Sequence, residues 1–251
     1  RQMCIRDRSS PFEVGICYII ALRDLATPFS SFQFDGSWFG HPGTELFDDY
    51  TVESVLIPTE DRTTACVSSQ VGCSLDCNFC ATSKLKRMRN LNPDEIYDQV
   101  VTINKQSLQY FNRPLSNIVF MGMGEPLMNY NNLVKSIEMI SSDKGLNISQ
   151  KRIVVSTSGI PKMIKKLADE NLKVNLALSL HSAIEVTRNK IMPFSSKFPL
   201  DDISESLEYW YTKTKRKITF EYIVWKNIND SIEAVSYTHL TLPTKASVWV
   251  S

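Results

Sequence analysis

The chain has 251 residues, 43% of them hydrophobic and 22% charged, and a formal net charge of +1. That is enough for one sizeable domain, or a barrel with a small extension, and the balance is that of a soluble globular protein. A near-neutral total excludes a polycation, so any nucleic-acid binding must come from a local patch.

Both ends read as foreign. Residues 1–8 and 236–245 resemble translated sequencing-adapter strings, so the expected organisation is an unassigned or non-native segment over 1–46, a domain over 47–235 and a non-native tail over 236–251. The apolar run 14–22 is far too short to span a bilayer. Arg6 and Arg8 ahead of it give a faint likeness to a signal peptide. No small-x-small cleavage site follows and the chain opens on Arg1, so it reads as a stray hydrophobic run. From Asp48 onward the pattern becomes regular. Thr51 to Ile57 alternates as a strand, 58–62 is a turn, and Thr63 to Ser68 is the next strand. Asn92, Pro93, Asp94 and Glu95 are the N-cap, N1 proline and first-turn acids of a helix to about Gln106. Asn117 to Met121 is a buried strand ending in the turn 122–126. A helix over 131–141, a strand over 152–155, a helix over 161–171, a strand over 173–180, a helix over 201–212 and a strand over 217–225 complete the series. Strands alternating with helices imply parallel pairing through right-handed crossovers, with sites gathering after the strands. A closed-type barrel and a flat doubly wound sheet both satisfy this pattern.

Three of the six cysteines, Cys73, Cys77 and Cys80, fall in one short loop after the tight turn at Gly72. Sulfurs at spacings of four and three in an irregular loop point toward one centre. Clustered use of this kind, rather than a spread framework, suggests a reducing and hence cytoplasmic compartment. Thiolates favour zinc, copper(I) or iron–sulfur clusters. Structural zinc asks for four ligands, and no fourth is at hand. An iron–sulfur cluster with one open iron fits three cysteines better.

Other polar residues have two readings each. Gly122-Met-Gly124-Glu125-Pro126 is either a plain strand-to-helix loop or a turn where backbone approaches a ligand with a carboxylate at its lip. Ser156 and the run Ser179-Leu180-His181 stand at successive strand ends, as caps or as groups converging on one cofactor. Cys66 and Glu53 have bland readings, a small buried hydrophobe and a solvent-facing carboxylate, and their second readings come only with the resemblance below. The run Lys84, Lys86, Arg87, Arg89 is a solvated loop or a phosphate-holding patch beside the site.

Cys-x-x-x-Cys-x-x-Cys with Phe79 before its last cysteine resembles the signature of radical S-adenosylmethionine (SAM) enzymes. The longer string from Cys66-Val-Ser-Ser-Gln-Val-Gly-Cys73 to Phe79-Cys80-Ala-Thr resembles one branch of them, the bacterial methyltransferases acting on carbon 2 of an adenine in 23S ribosomal RNA and some transfer RNAs. The likeness extends to about Ala234. It implies an α/β fold, a partial (β/α)6-type barrel truncated after about five units. It implies a 4Fe–4S cluster on Cys73, Cys77 and Cys80, and SAM held by Gly124 and Glu125, which face its amino group, and by Ser156, Ser179, Leu180 and His181. It implies catalytic roles for Cys66, through a product-releasing disulfide, and for Glu53 as base. The expected partners are 23S rRNA and tRNA and an electron donor such as flavodoxin, with no membrane and a monomeric state.

The chemistry explains the need for these parts. Carbon 2 of adenine is electron-poor and does not attack a SAM methyl in a polar displacement, so a radical is required, and the base must be unstacked to be reached. In the family a methyl group is first placed on a carboxy-terminal cysteine, and a radical formed from a second SAM activates it. No cysteine follows Cys80 here, and an asparagine SAM ligand of the last strand is also missing. The expectation is that this chain binds a cluster and SAM without methylating RNA. A sister methylase acting on carbon 8 of the same adenine shares most of these motifs, and a zinc-stabilised RNA-binding module without catalysis is the reading of a different class.

Overall fold

The computed structural model describes residues 2–6, 15–19, 39–40, 44–46, 48 and 50–231. The tail 236–251 and the remainder of segment 1–46 lie outside the described residues. In chain order the strands are β1 (Gln2–Arg6), β2 (Gly15–Ile19), β3 (Phe39–Gly40), β4 (Thr44–Glu45), β5 (Thr51–Val52), β6 (Val55–Pro58), β7 (Thr63–Val67), β8 (Gln70–Val71), β9 (Arg89–Asn90), β10 (Asn117–Phe120), β11 (Ile153–Thr157), β12 (Asn175–Ser179) and β13 (Ile218–Ile223). The helices are α1 (Pro93–Phe111), α2 (Tyr130–Ser141), α3 (Pro161–Asp169), α4 (Glu185–Ile191) and α5 (Leu200–Thr214).

One nine-stranded sheet organises the molecule, in the order β1-β2-β13-β12-β11-β10-β7-β6-β3. The run β7-β10-β11-β12-β13 is parallel throughout, and each crossover carries a helix, as right-handed βαβ units require. These five parallel strands match the about five barrel units that the resemblance implies. β2 adds a further parallel partner to β13, so the apolar run at 14–22 holds a strand.

Register divides the sheet into two faces. Ala65, Val67, Ile118, Phe120, Ile153, Val155, Leu176, Leu178, Ile218 and Phe220 all point to the helices and are buried in the main core. The alternate positions, among them Cys66, Ser156, Ser179 and Glu221, share the opposite face. Two-sided strands of this kind place the apolar core under the helices and leave the other face for a site.

Local chemistry sets the element ends. The amide of Asn92 donates to Glu95 Oε2 at 2.8 Å, closing the expected capping arrangement at the start of α1. α1 runs past Gln106 to Phe111 and stops where Asn112 takes a left-handed φ of 51°. The strand expected over 51–57 is interrupted. Its inward positions Val52, Ser54 and Leu56 do alternate into the interior, but the Glu53 carbonyl accepts from Ser68 Oγ at 2.6 Å and its amide donates to Met123 Sδ at 3.3 Å. Glu53 therefore lies between two strands, where its backbone turns away from the ladder, and not on one. α4 corresponds to no expected element. No helix among the described residues is long and apolar enough to cross a membrane.

Candidate functional site

The cysteine loop is closed at its base by the short ribbon of β8 and β9, with Met88 N donating to Val71 O at 2.9 Å and Cys73 N to Leu85 O at 3.3 Å. Gly72, at φ +73°, makes the turn into it, and a Cβ there would strike the Lys86 carbonyl. Inside, Ser83 Oγ donates to the carbonyls of Cys77 (2.6 Å) and Cys80 (2.7 Å), so one hydroxyl pins the second half of the motif. Cys73, Cys77 and Cys80 pack in one apolar cluster with Leu75, Phe79, Ile191, Met192 and Trp225.

Cys66, Cys73, Cys77 and Cys80 are free thiols. Burial pushes the Cys77 thiol up to about 12, and the neighbouring Cys80 and Cys73 push in the same direction. Burial likewise raises Cys73. Thiols held so high stay protonated until a metal displaces the proton. Three soft donors in one dry pocket fit an iron–sulfur cluster. Structural zinc takes four convergent ligands, whereas an iron–sulfur cluster with one open iron takes three thiolates, the number this loop supplies.

The turn 122–126 is fastened directly to this loop. Ser69 N and Gln70 N both donate to Met123 O, Ser68 Oγ accepts from Met123 N at 2.8 Å, and Gln70 Oε1 accepts from Glu125 N at 2.9 Å. Gly124 has φ +92°, and a Cβ on it would lie 2.5 Å from Gln70 Cβ. The Glu125 carboxylate is only 2% exposed. It accepts from Ser158 N (2.7 Å), Ser158 Oγ (2.8 Å) and Leu127 N (3.1 Å). Burial raises its carboxyl above the ordinary range and these donors pull it back. Much of its hydrogen-bonding capacity is thus occupied by the chain itself.

Ser156 and Ser179 lie on adjacent strands of the open face, Ser156 opposite Ala177 in the pairing register. Cys66, half-buried on β7, shares that face, its thiol pushed up to about 12 by burial and then by Glu221. Glu53 is exposed at the rim. Leu180 is 1% exposed, its amide donating to the Glu221 carbonyl and its own carbonyl accepting from Arg188. His181 takes a left-handed φ of 55°. Its Nδ1 accepts from Ile223 N at 3.3 Å, which puts the neutral ring's proton on Nε2. The ring lies 4.8 Å edge-on from Phe79 and 5.9 Å from Trp225, and burial pulls its pKa down to about 3. The imidazole thus packs the back of the cysteine loop.

Two residues of the site carried no motif signal. Arg188, on α4, is 1% exposed and donates to the carbonyls of Ser158 (2.6 Å), Leu180 (3.2 Å) and Ser179 (3.4 Å). Glu221 accepts from both Ser156 Oγ and Ser179 Oγ. The strand around Glu221 alternates polar Thr219 and Glu221 with apolar Ile218, Phe220 and Tyr222, and this alternation was the available hint. Of the basic run, Lys84, Lys86 and Arg87 are exposed. Arg89 is held by Asp48 (2.5 Å) and by both oxygens of Glu95 (2.8 Å each), so it serves the fold and not a phosphate.

Comparison with known proteins agrees with this arrangement. The chain is 70% identical over 190 residues to the "Probable dual-specificity RNA methyltransferase RlmN" of Flavobacterium psychrophilum, covering 76% of this chain and 55% of that protein. It is 54% identical over 191 residues to the protein of the same name from Cytophaga hutchinsonii, covering 52% of it. The chain therefore spans about half the length of these relatives. A crystal structure of a radical SAM methyltransferase from Sphaerobacter thermophilus superposes with a TM-score of 0.73 at 34% identity, over 80% of this chain and 62% of that one. The partial barrel is the fold, and the flat doubly wound sheet is set aside. The model of the Radical SAM superfamily matches residues 67–236, a span that takes in every strand end lining the cleft, and the chain belongs to that superfamily.

Proposed function

We propose that this chain is the catalytic core of an RNA methyltransferase that modifies carbon 2 of adenine in 23S rRNA and tRNA. Cys73, Cys77 and Cys80 would hold a 4Fe–4S cluster, and the cleft between Glu125 and Glu221 would hold SAM. The observation that carries the reading is three free thiols in one apolar pocket, with the Gly124–Glu125 turn bonded through Gln70 to the loop that bears them. When bound, the cluster and SAM supply one-electron chemistry, the only kind that reaches an electron-poor ring carbon.

The chain's own residues divide the remaining work. Ser83 and Asn78 shape the cysteine loop, and the Phe79–His181–Trp225 cluster keeps water from its back. Cys66, on the open face, stands where a thiol can meet a group brought in from solvent. Glu53, exposed and tied through its backbone to Ser68 and Met123, would take a proton from the substrate. Lys84, Lys86 and Arg87 offer phosphate contacts that position RNA without reading it. A flavodoxin-like donor would supply the electron.

Anaerobic reconstitution with iron and sulfide tests the cluster. A brown protein with visible absorbance is expected, lost in each of C73S, C77S and C80S. A colourless product would sink the reading. Mapping the methylated adenine formed by the intact enzyme, as the 2-methyl or the 8-methyl product, separates this function from that of the sister methylase.

A further inference from the structure

Glu221 belongs to no motif, yet both its backbone and its side chain tie the cleft together. Its carbonyl accepts from Leu180 N at 3.0 Å and His181 N at 3.1 Å. Its Oε2 accepts from Ser179 Oγ at 2.7 Å and Ser156 Oγ at 3.0 Å. Its Oε1 is buried and has no hydrogen-bond partner among the described residues. A buried carboxylate oxygen without a donor is costly, and such a group calls for an explanation.

The two serine contacts fix more than position. A hydroxyl has one proton and two lone pairs. Both serine protons point at Oε2, so both serine oxygens have only lone pairs left to offer. This holds for the ionised carboxylate, whose two oxygens only accept. Ser156 Oγ, Ser179 Oγ and Glu221 Oε1 then form a set of acceptors on adjoining strands. Such a set suits a ligand group rich in O–H or N–H donors and rejects a phosphate or carboxylate. Glu125 differs, because its oxygens already take three donors from the chain beside the cysteine loop.

We propose that Glu221 is a positioning residue that sets the proton direction of Ser156 and Ser179, so that the three oxygens together receive the vicinal hydroxyls of the ligand's ribose. This rests on reading the cleft as a SAM site. In that reading the amino group of SAM lies at Gly124–Glu125; of the donors left, the adenine amino group sits on one nitrogen, whereas the two ribose hydroxyls, on adjacent carbons, match acceptors spread over β11, β12 and β13.

The test is equilibrium binding to the anaerobically reconstituted full chain, with S-adenosylhomocysteine and its 2′-deoxy and 3′-deoxy forms as probes. Wild type is compared with E221Q, E221M and S179A, each first checked by thermal unfolding. Wild type is expected to prefer the parent probe by about tenfold or more, the worth of one well-made hydrogen bond to a charged group. In E221Q and E221M that preference is expected to fall below about threefold, with affinity for the deoxy forms little changed, because the freed serine hydroxyls can turn to donate. S179A, which leaves Glu221 in place, should lose discrimination against one deoxy form more than the other, and it carries the test if a Glu221 variant does not fold. Equal wild-type affinity for all three probes, a uniform loss across probes in the variants, or an undiminished preference would each overturn the proposal. Failure of S-adenosylhomocysteine to bind wild type at all would instead remove the SAM-site reading, and this proposal with it.

Discussion

The backbone amide of Asn78 donates to the carbonyl of Ile191 at 3.0 Å, and its side-chain amide donates to the carbonyl of Lys190 at 2.5 Å. The last turn of a helix leaves carbonyls without intrahelical partners. Here the cysteine loop satisfies two of them, so α4 and the loop hold each other in place. The Ile191 side chain extends the contact, packing against Cys73 and Cys77 at 6% exposure.

Ile191→Ala is therefore expected to reduce stability by about 2–4 kcal/mol through the cavity it leaves, and also to loosen the cysteine pocket. Urea unfolding reads the first effect. Iron retained per chain after gel filtration of reconstituted protein reads the second. Normal iron retention with lowered stability would separate α4 from the metal site.

Arg188 is a buried cation that donates to three neutral carbonyls, at the end of β12 and on the segment after β11. Burial pulls its pKa down to about 10, and the nearby Cys77 and Glu185 oppose that. Its fork reaches several carbonyls that no lysine could satisfy together. R188K and R188M are each expected to cost about 2–3 kcal/mol, since both strand Ser158 O and Leu180 O. Unchanged denaturation midpoints would show that those carbonyls find other donors.

Much of this architecture was legible beforehand because the strands carry long apolar stretches and end on polar or glycine-rich turns. Three places escaped. α4, Glu185–Ile191, is short, and its buried side chains Arg188 and Ile191 give no apolar period to read. Glu53 sits in an alternating stretch, but its backbone bonds to Ser68 and Met123, long-range contacts that no local pattern encodes. Glu221 is one charge within a strand and belongs to no motif. Its partners, Ser156 and Ser179, come from two other strands and meet it only through the sheet register. The reverse also holds, since Arg89 looked like part of a phosphate patch and is instead held by Asp48 and Glu95.

The buried carboxyl of Glu221 makes the ligand-free chain pH-sensitive. Burial raises its pKa above the ordinary carboxylate range, Glu125 adds to the rise, and the two serine bonds oppose it. Cys66 is the other titratable group facing it. A carboxyl raised by folding contributes stability that is full below its unfolded pKa and is lost as pH rises through its folded pKa. Glu221→Gln removes that loss. The variant is expected to match wild type near pH 4.5 and to exceed it by about 1 kcal/mol at pH 8, in line with the general cost of a buried, incompletely partnered charge. Thermal unfolding without ligand across this window checks the sign, and a variant less stable at pH 8 would contradict it.

Gly72 is the hinge of the cysteine loop. Gly72→Ala adds a methyl at φ +73° that collides with the Lys86 carbonyl on the opposing side of the ribbon, and a backbone atom cannot move aside as a flexible side chain can. Left-handed strain and overpacking together are expected to cost about 2–4 kcal/mol. The damage should be local. Trypsin cleavage at the exposed Lys84, Lys86 and Arg87 should speed up before the rest of the chain is cut, and a uniform cleavage rate would argue against a hinge role.

Lys84, Lys86 and Arg87 project from the same loop as the cysteines, and exposed Leu85 and Met88 stand among them. If they hold phosphates, each lost contact should lower the salt dependence of RNA binding by about 0.7 in slope for a single strand, so K84A/K86A/R87A together should lower it by about 2. Arg89→Ala is the internal control. It breaks the link from β9 to Asp48 and to Glu95 at the start of α1, so it should weaken folding without a comparable change of slope. A triple variant whose salt slope equals that of wild type would mark the run as a solvated loop and move the search for the RNA-binding surface away from the metal site.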